Sequence, residues 1–475
     1  MLTVWPGRVT IDLLPDEILL HIFHYNRVWH QSQRSTWRWH RLVHVCRRWR
    51  SVGFASPKFL QLRLVCGPKT PVELTGVWPP VPITIQDKHD LPMPEDFDFD
   101  AAIVHPSRVC EINFCNLRRA QFQRLDSAMQ RRFPALTHLK LYFKHDSHPY
   151  PALSRGFLGR SARHLRSLKL NRIAFPALPR LLLTTTNLVR LSLCNIPHSG
   201  YIPPKTIISG LAALPNLKFL IIGLEFSLSR ADRKGLRPPP PTFTVLPSLT
   251  LFEFRGVGEY VEDFVARIDA PVLDSVILII TDQHRPTFDT PQLAQFMRRS
   301  TRVEPLSESH VNLHNLLVEV KSLPPEPTFD KMPRLTISCH GSDWRLRPVF
   351  SLSRILRSFF PFIHMVAHLY IRFDAPHHSV LQWQGFGSTQ WMEVFGLFTA
   401  VKNLYVCKEF AESVAFVGAL QELASEWATN TLPALESLYF EEIKPSTPVE
   451  EAIGQFVAAR QLLGHPVAVS YWDMA

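Results

Sequence analysis

The stretch Leu14–Phe23 reads LPDEILLHIF, and His44–Val52 reads HVCRRWRSV. In the first, Pro15 suits the opening position of a helix, where its missing N–H costs nothing. Asp16 and Glu17 fall in the first turn, where the helix dipole favours negative charge. Ile18, Leu19, Ile22 and Phe23 then recur at i, i+1, i+4 and i+5 as one apolar stripe. The second stretch continues a pattern that starts at Trp39. With Leu42, Val43, Cys46 and Trp49 it predicts a second amphipathic helix, with Arg41, Arg47, Arg48 and Arg50 on its other faces. Helices this short cannot bury their stripes alone, so they must pack on each other and on something else.

From about residue 59 a different spacing recurs: apolar, two variable, apolar, one variable, apolar. It runs through Phe59-Leu62-Leu64, Val109-Ile112-Phe114, Leu136-Leu139-Leu141, Leu165-Leu168-Leu170, Leu188-Leu191-Leu193 and Leu217-Leu220-Ile222. It continues at Leu249-Phe252-Phe254, Leu273-Val276-Leu278, Leu313-Leu316-Val318, Val366-Leu369-Ile371, Val401-Leu404-Val406 and Leu435-Leu438-Phe440. Starts from Leu136 to Leu273 are 29, 23, 29, 32 and 24 residues apart. The last two apolar positions lie two apart and so face one side of a short strand. The first packs into the same core from the preceding turn. No unit closes its own core, so the units stack side by side and build a parallel sheet. Pro151–His164 and Pro203–Asn216 are each long enough for one covering helix. A non-repeating α/β domain is the alternative that the uneven spacing leaves open.

LPDEILLHIF and VCRRWRSV resemble the opening and later helices of the F-box family, and Phe54–Leu64, FASPKFLQLRL, is similar to its closing segment. The resemblance implies a three-helix unit over residues 10–64 that binds the Skp adaptor of a cullin–RING ubiquitin ligase. Leu14, Pro15, Ile18, Leu19, Ile22, Phe23, Val45, Cys46 and Trp49 would supply the apolar contact. The connector HYNRVWHQSQRSTWRWHR departs from the family's short leucine-aspartate link; it is long and basic.

The later spacing resembles leucine-rich repeats. The family's asparagine is replaced by Leu117, Ile173, Ile196, Val257 and Ile443. The implied architecture is α/β: a small N-terminal F-box, a linker with first irregular repeats over 65–108, and an irregular leucine-rich-repeat-like solenoid with a parallel sheet over 109–475. That last part would hold a protein target. An F-box followed by such repeats is a layout familiar among fungal proteins.

Composition narrows the function classes. At 475 residues the chain is long for a single core, and 46% hydrophobic with 20% charged residues suits a folded protein. Forty prolines between apolar runs favour many short elements. Seven scattered cysteines without a CxxC pair read as reduced thiols in the cytosol or nucleus. No apolar run reaches the roughly 18–20 residues of a membrane helix, and the N-terminus lacks the pattern of a signal peptide. Formal charge is +11, and residues 1–60 hold nine Lys/Arg against three acids, a solvated basic face or a surface for an acidic partner. Asp87, Asp90, Glu95, Asp96, Asp98 and Asp100 predict an acidic surface loop over 86–107. Pro238–Pro241 favour a polyproline II loop.

The chemistry of catalysis is missing from the sequence. There is no phosphate-binding GxxxxGK[ST] and no GxSxG. Gly256-Val-Gly258 and Gly385-Phe-Gly387 lack a third glycine and the expected strand-to-helix context. His40 and His44 lack the glutamate of HExxH, and neither His145, Asp146 and His148 nor His377 and His378 have a convergent partner. No catalytic residue, cofactor or metal is expected. The aromatic stretch Trp383–Phe398 reads as a binding hot spot or as core. The leading expectation is a non-catalytic substrate-recognition subunit of an SCF-type ligase. An interaction scaffold without a degradation role is the second reading. A basic nucleic-acid binder is the third, and against it the excess charge sits on the docking module.

Overall fold

Strands form where the apolar triplets recur, because residues two apart on a strand share a face and stack on their equivalents in the next strand. The computed structural model describes residues 13–29, 42–57, 59–60, 62–67, 81–87, 94–144, 149–225, 243–280, 291–299, 308–314, 317–323, 335–340, 366–373, 388–424, 431–441 and 447–472. The fold is mixed α/β, in two compact units, Met1–Ile173 and Ala174–Ala475. This division falls inside the stretch 109–475 expected as one repeat domain.

The first unit holds helices α1 (Asp16–Trp29), α2 (Arg47–Ala55), α3 (Phe99–Ala102) and α4 (Arg119–Ala128). Its strands are β1 (Leu64–Cys66), β2 (Ile83–Gln86), β3 (Val109–Leu117), β4 (His138–Phe143) and β5 (Ser167–Asn171), adjacent in chain order and all parallel. Ile112, Leu139 and Leu168 stand in register, as do Phe114, Leu141 and Leu170, and all six are buried. Leu136 and Leu165, in the turns before β4 and β5, are buried with them. Helix rings close this core: Phe99 meets Phe114 at 5.5 Å and Phe122 meets Phe143 at 6.1 Å. Phe59, expected in the first triplet, is exposed and lies against His21 and His24 instead.

The register of β3 shifts between Phe114 and Leu117, making Cys115 and Asn116 a bulge. Asp87, just after β2, holds it. Its carboxylate accepts the Cys115 N–H at 2.8 and 2.9 Å and the Asn116 N–H at 3.1 Å. Asp87 is therefore buried and structural rather than part of an acidic surface loop. Glu95, Asp96, Asp98 and Asp100 are exposed, and Asp98 caps α3 by accepting the Ala101 N–H at 2.9 Å; Asp90 lies outside the described residues. Leu117, Ile173, Ile196 and Val257, at the positions where the expected repeats would carry asparagine, are all buried. Ile443 lies outside the described residues.

The helix expected over Pro151–His164 is absent. A tight turn, Phe157–Arg160, takes its place, with Leu158, Gly159 and Arg160 at φ 55°, 57° and 63°. Left-handed backbone at two non-glycine residues cannot propagate a helix.

The second unit begins with α5 (Leu178–Leu182), β6 (Arg190–Ile196), α6 (Pro204–Leu211), β7 (Phe219–Leu224), β8 (Thr244–Val245), β9 (Leu251–Gly256), α7 (Gly258–Val265), β10 (Ile268–Asp269), β11 (Ser275–Ile280) and α8 (Pro291–Arg299). It continues through β12 (Glu308–His314), β13 (Leu317–Leu323), β14 (Leu335–His340), β15 (His368–Phe373), α9 (Ser388–Phe395), β16 (Asn403–Val406), α10 (Lys408–Ala411), α11 (Val414–Leu423), β17 (Ser437–Glu441), α12 (Thr447–Leu462) and β18 (Ala468–Trp472). Its sheet runs β6-β7-β9-β11-β14-β13-β12-β15-β16-β17-β18, and β8 pairs separately with β10. Phe252 and Phe254 stack on Phe264 and Tyr260 of α7 at 5.7 and 5.8 Å, so the helices cover the triplet face. Glu262 accepts the N–H groups of Gln292 and Leu293 at 3.0 and 2.9 Å, capping α8 with a carboxylate at its positive end.

Three expectations change in this unit. Leu313 and Val318 do not share a strand; they face each other across the antiparallel pair β12–β13, and β13 runs against β14 as well. Gly256 and Gly258 do sit at a strand-to-helix junction, where a Cβ on Gly256 would meet Leu224 at 3.2 Å, so close packing explains that glycine. Trp391, Phe395 and Phe398 are fully buried, which makes the described part of the aromatic stretch core. The helix expected within Pro203–Asn216 is α6. Trp383, Gly385–Gly387 and Pro238–Pro241 lie outside the described residues.

Burial pushes the Asp87 carboxyl above its ordinary value of 3.8 despite its two backbone donors. A raised folded value means that folding favours the protonated form, so this group's contribution falls as pH rises from about 4 through the raised value. Asp87→Ala should lower stability by about 1–3 kcal/mol by leaving the bulge N–H groups unpaired. Asp87→Asn should gain on the wild type between pH 4 and 7. Urea midpoints across that range check both, and a midpoint for Asp87→Ala equal to the wild type would remove the role assigned to the carboxylate.

Candidate functional site

The N-terminal module is built from α1 and α2. The Pro15 carbonyl accepts the N–H groups of Ile18 and Leu19 at 3.1 Å and starts α1, while Asp16 and Glu17 fill its first turn. The helix expected from Trp39 to Trp49 is interrupted. Leu42 and Val43 are helical and His44 and Val45 form a turn; Cys46 is then extended at φ −154° and its Sγ accepts the Trp49 N–H at 3.4 Å. Cys46 is thus the N-cap of α2 and not an interior residue of a longer helix. Trp39, His40 and Arg41 lie outside the described residues.

The two helices are tied in two ways. Arg48 donates to the Leu14 carbonyl and to the Asp16 carboxylate, the latter at 2.7 Å from Nη2 and 3.1 Å from Nε. This pair is half exposed, so it fixes geometry more than it stabilises. Apolar burial contributes more: Leu19, Phe23, Val43, Trp49 and Val52 are buried, and the Phe23 and Trp49 rings lie 5.0 Å apart. Gly53 permits the approach, since a Cβ there would meet Val43 Cγ1 at 3.1 Å.

The nine residues expected to contact a partner therefore separate. Leu19, Phe23 and Trp49 face inward and hold the module together. Ile18 and Ile22 are exposed at 45% and 38%, Val45 at 59%, and Pro15 is also exposed. Leu14 and Cys46 are partly covered. Two residues outside the expected set extend the outward surface: Leu13, 71% exposed, and Tyr25, 65% exposed. Ile18, Ile22 and Tyr25 are spaced i, i+4 and i+7, so they form one stripe along α1. That spacing is present in the sequence and marks Tyr25 as a continuation of the isoleucine row.

The chemical character of this surface is apolar, from Leu13, Ile18, Ile22 and Val45. His44 is exposed, and among the described residues no group of three His, Cys, Asp or Glu side chains is placed to hold a metal ion. His145, Asp146, His148, His377 and His378 lie outside those residues. No described helix is long and apolar enough to cross a membrane.

Trp49→Ala should destabilise the module by about 3–5 kcal/mol, as expected for a deleted core ring. Ile22→Ala should change its stability by less than about 0.5 kcal/mol. Amide exchange over α1 distinguishes the two. Equal protection loss in both variants would contradict the division into inward and outward faces.

No curated protein matches the chain. Residues 11–57 match the F-box-like family, and the two helices, their buried contacts and the exposed isoleucine row all fall within that match, so the chain carries an F-box-like domain there.

Proposed function

We propose that this chain is the substrate-recognition subunit of an SCF-type cullin–RING ubiquitin ligase. The F-box-like domain docks on a Skp adaptor, and the strand-and-helix array, read as a degenerate leucine-rich-repeat-like domain, holds a protein target. The observation that carries the reading is the row of Ile18, Ile22 and Tyr25, exposed beside Leu13 and Val45 on the domain that matches the F-box-like family. Large apolar side chains exposed on a folded helix pair are the anchors of helix-in-groove recognition. Leu14, Pro15 and Cys46 border this surface, and Leu19, Phe23 and Trp49 act by holding it in shape. Ubiquitin transfer belongs to the ligase and its conjugating enzyme; this chain is non-catalytic and works in the cytosol or nucleus.

Replacing Ile18 and Ile22 together by Asp should abolish co-purification with the adaptor while leaving the far-ultraviolet circular dichroism unchanged, because both positions are outward. Normal adaptor capture by this double variant would sink the proposal.

A further inference from the structure

The core rows of the second unit run in unbroken register to the last strand. Leu369, Leu404, Leu438 and Val469 line up on β15, β16, β17 and β18, as do Ile371, Val406, Phe440 and Tyr471. Through β17 these residues are at most 3% exposed; on β18, Val469 is 37% and Tyr471 59% exposed. The apolar pattern continues while its cover stops, because β17 is the one strand that β18 pairs with among the described residues. Leu462 and Leu463, at the end of α12 just before β18, are exposed as well.

The backbone of β18 is in phase for a pair on its open side. Ala468 donates its N–H to the Glu436 carbonyl at 2.9 Å, so the backbone groups of Ala468, Ser470 and Trp472 face β17. Those of Val469 and Tyr471 therefore point away from it. A second β18, antiparallel about a two-fold axis at Ser470, sets Val469 opposite the second copy's Tyr471 and Tyr471 opposite its Val469, both as hydrogen-bonded pairs. The two Val–Tyr contacts fall on the face where the buried rows end, and such an axis keeps the helices of both copies on that face.

Charge permits a copy there. Residues 461–472, QLLGHPVAVSYW, hold no Asp, Glu, Lys or Arg, in a chain whose net charge of +11 opposes self-contact elsewhere. Nor does β18 carry the lysine, proline or bulge that keeps an edge strand from pairing. A head-to-tail join is closed off: β1, which ends the first unit's sheet, is buried at Leu64, Val65 and Cys66 and offers no open edge to another copy's β18.

We propose that β18 is a self-association edge, at which two copies of this chain pair antiparallel about Ser470 and continue one sheet into the next. The proposal does not depend on the receptor reading. The test is sedimentation velocity of the full chain over a concentration series. The wild type should reach a dimer, and Tyr471→Lys, a charge at an exposed edge position, should return it to the monomer with unchanged circular dichroism. Ile18→Asp combined with Ile22→Asp should leave the dimer intact, since the apolar row of α1 takes no part. Ser470→Cys reads the axis: in this pairing the two residues 470 form a non-hydrogen-bonded pair with Cα atoms about 4.5 Å apart, within disulfide reach, whereas two residues 468 lie about 14 Å apart. Oxidation with diamide should therefore trap a covalent dimer of Ser470→Cys and not of Ala468→Cys or the wild type. A wild type that stays monomeric, a dimer that survives Tyr471→Lys or is lost with Ile18→Asp and Ile22→Asp, or equal trapping of Ser470→Cys and Ala468→Cys overturns the proposal.

Discussion

In-register stacking of like residues across parallel strands is the constraint on which the sheets depend. Neighbouring strands lie about 4.8 Å apart, so a position in one triplet touches the same position in the next. Leu191, Leu220, Phe252 and Val276 form one such row, and Leu193, Ile222, Phe254 and Leu278 the next. Each buried aliphatic side chain contributes about 1.5–3 kcal/mol only when both neighbours are present to exclude water. Parallel pairing also requires a crossover, which accounts for spacings of 23 to 32 residues and for the helices that cover one face.

The same rule writes the opposite face. Residues between the apolar positions also stack on their equivalents, so polar or aromatic character repeated in sequence becomes a row in space. Tyr370, Tyr405 and Tyr439 form a stack for the reason that Leu369, Leu404 and Leu438 form a core: identical register. The F-box-like module obeys a different logic. Its two helices are held by the inward row of Leu19, Phe23 and Trp49, and the outward row gains nothing from register with a neighbour.

Strand positions are legible because the triplet encodes both period and burial, and Leu136, Leu139 and Leu141 show it in three residues. Features that depend on one backbone angle or one distant bond are not. The turn at Leu158–Arg160 has a local glycine as its only signal, and Asp87 resembles any loop carboxylate until its reach to Cys115, 28 residues on, is known. The spacing of Cys46 fits a helix interior, yet its thiol caps the next helix instead. In α1 the apolar residues span i, i+1, i+4 and i+5, a stripe wide enough to hold two rows. Pattern alone does not say which row faces home; the ring contact between Phe23 and Trp49 does.

Separation of charge along the chain then follows a consistent division of labour. The basic surplus of residues 1–60 falls on the stretch that carries the F-box-like domain. Residues 388–472 carry ten glutamates against four basic residues, and Glu393, Glu412, Glu422, Glu450 and Glu451 go with the helices that cover the triplet face. On the opposite face Tyr370, Tyr405 and Tyr439 are fixed by one another, as Leu369, Leu404 and Leu438 are in the core, so one register orders both sides of these strands.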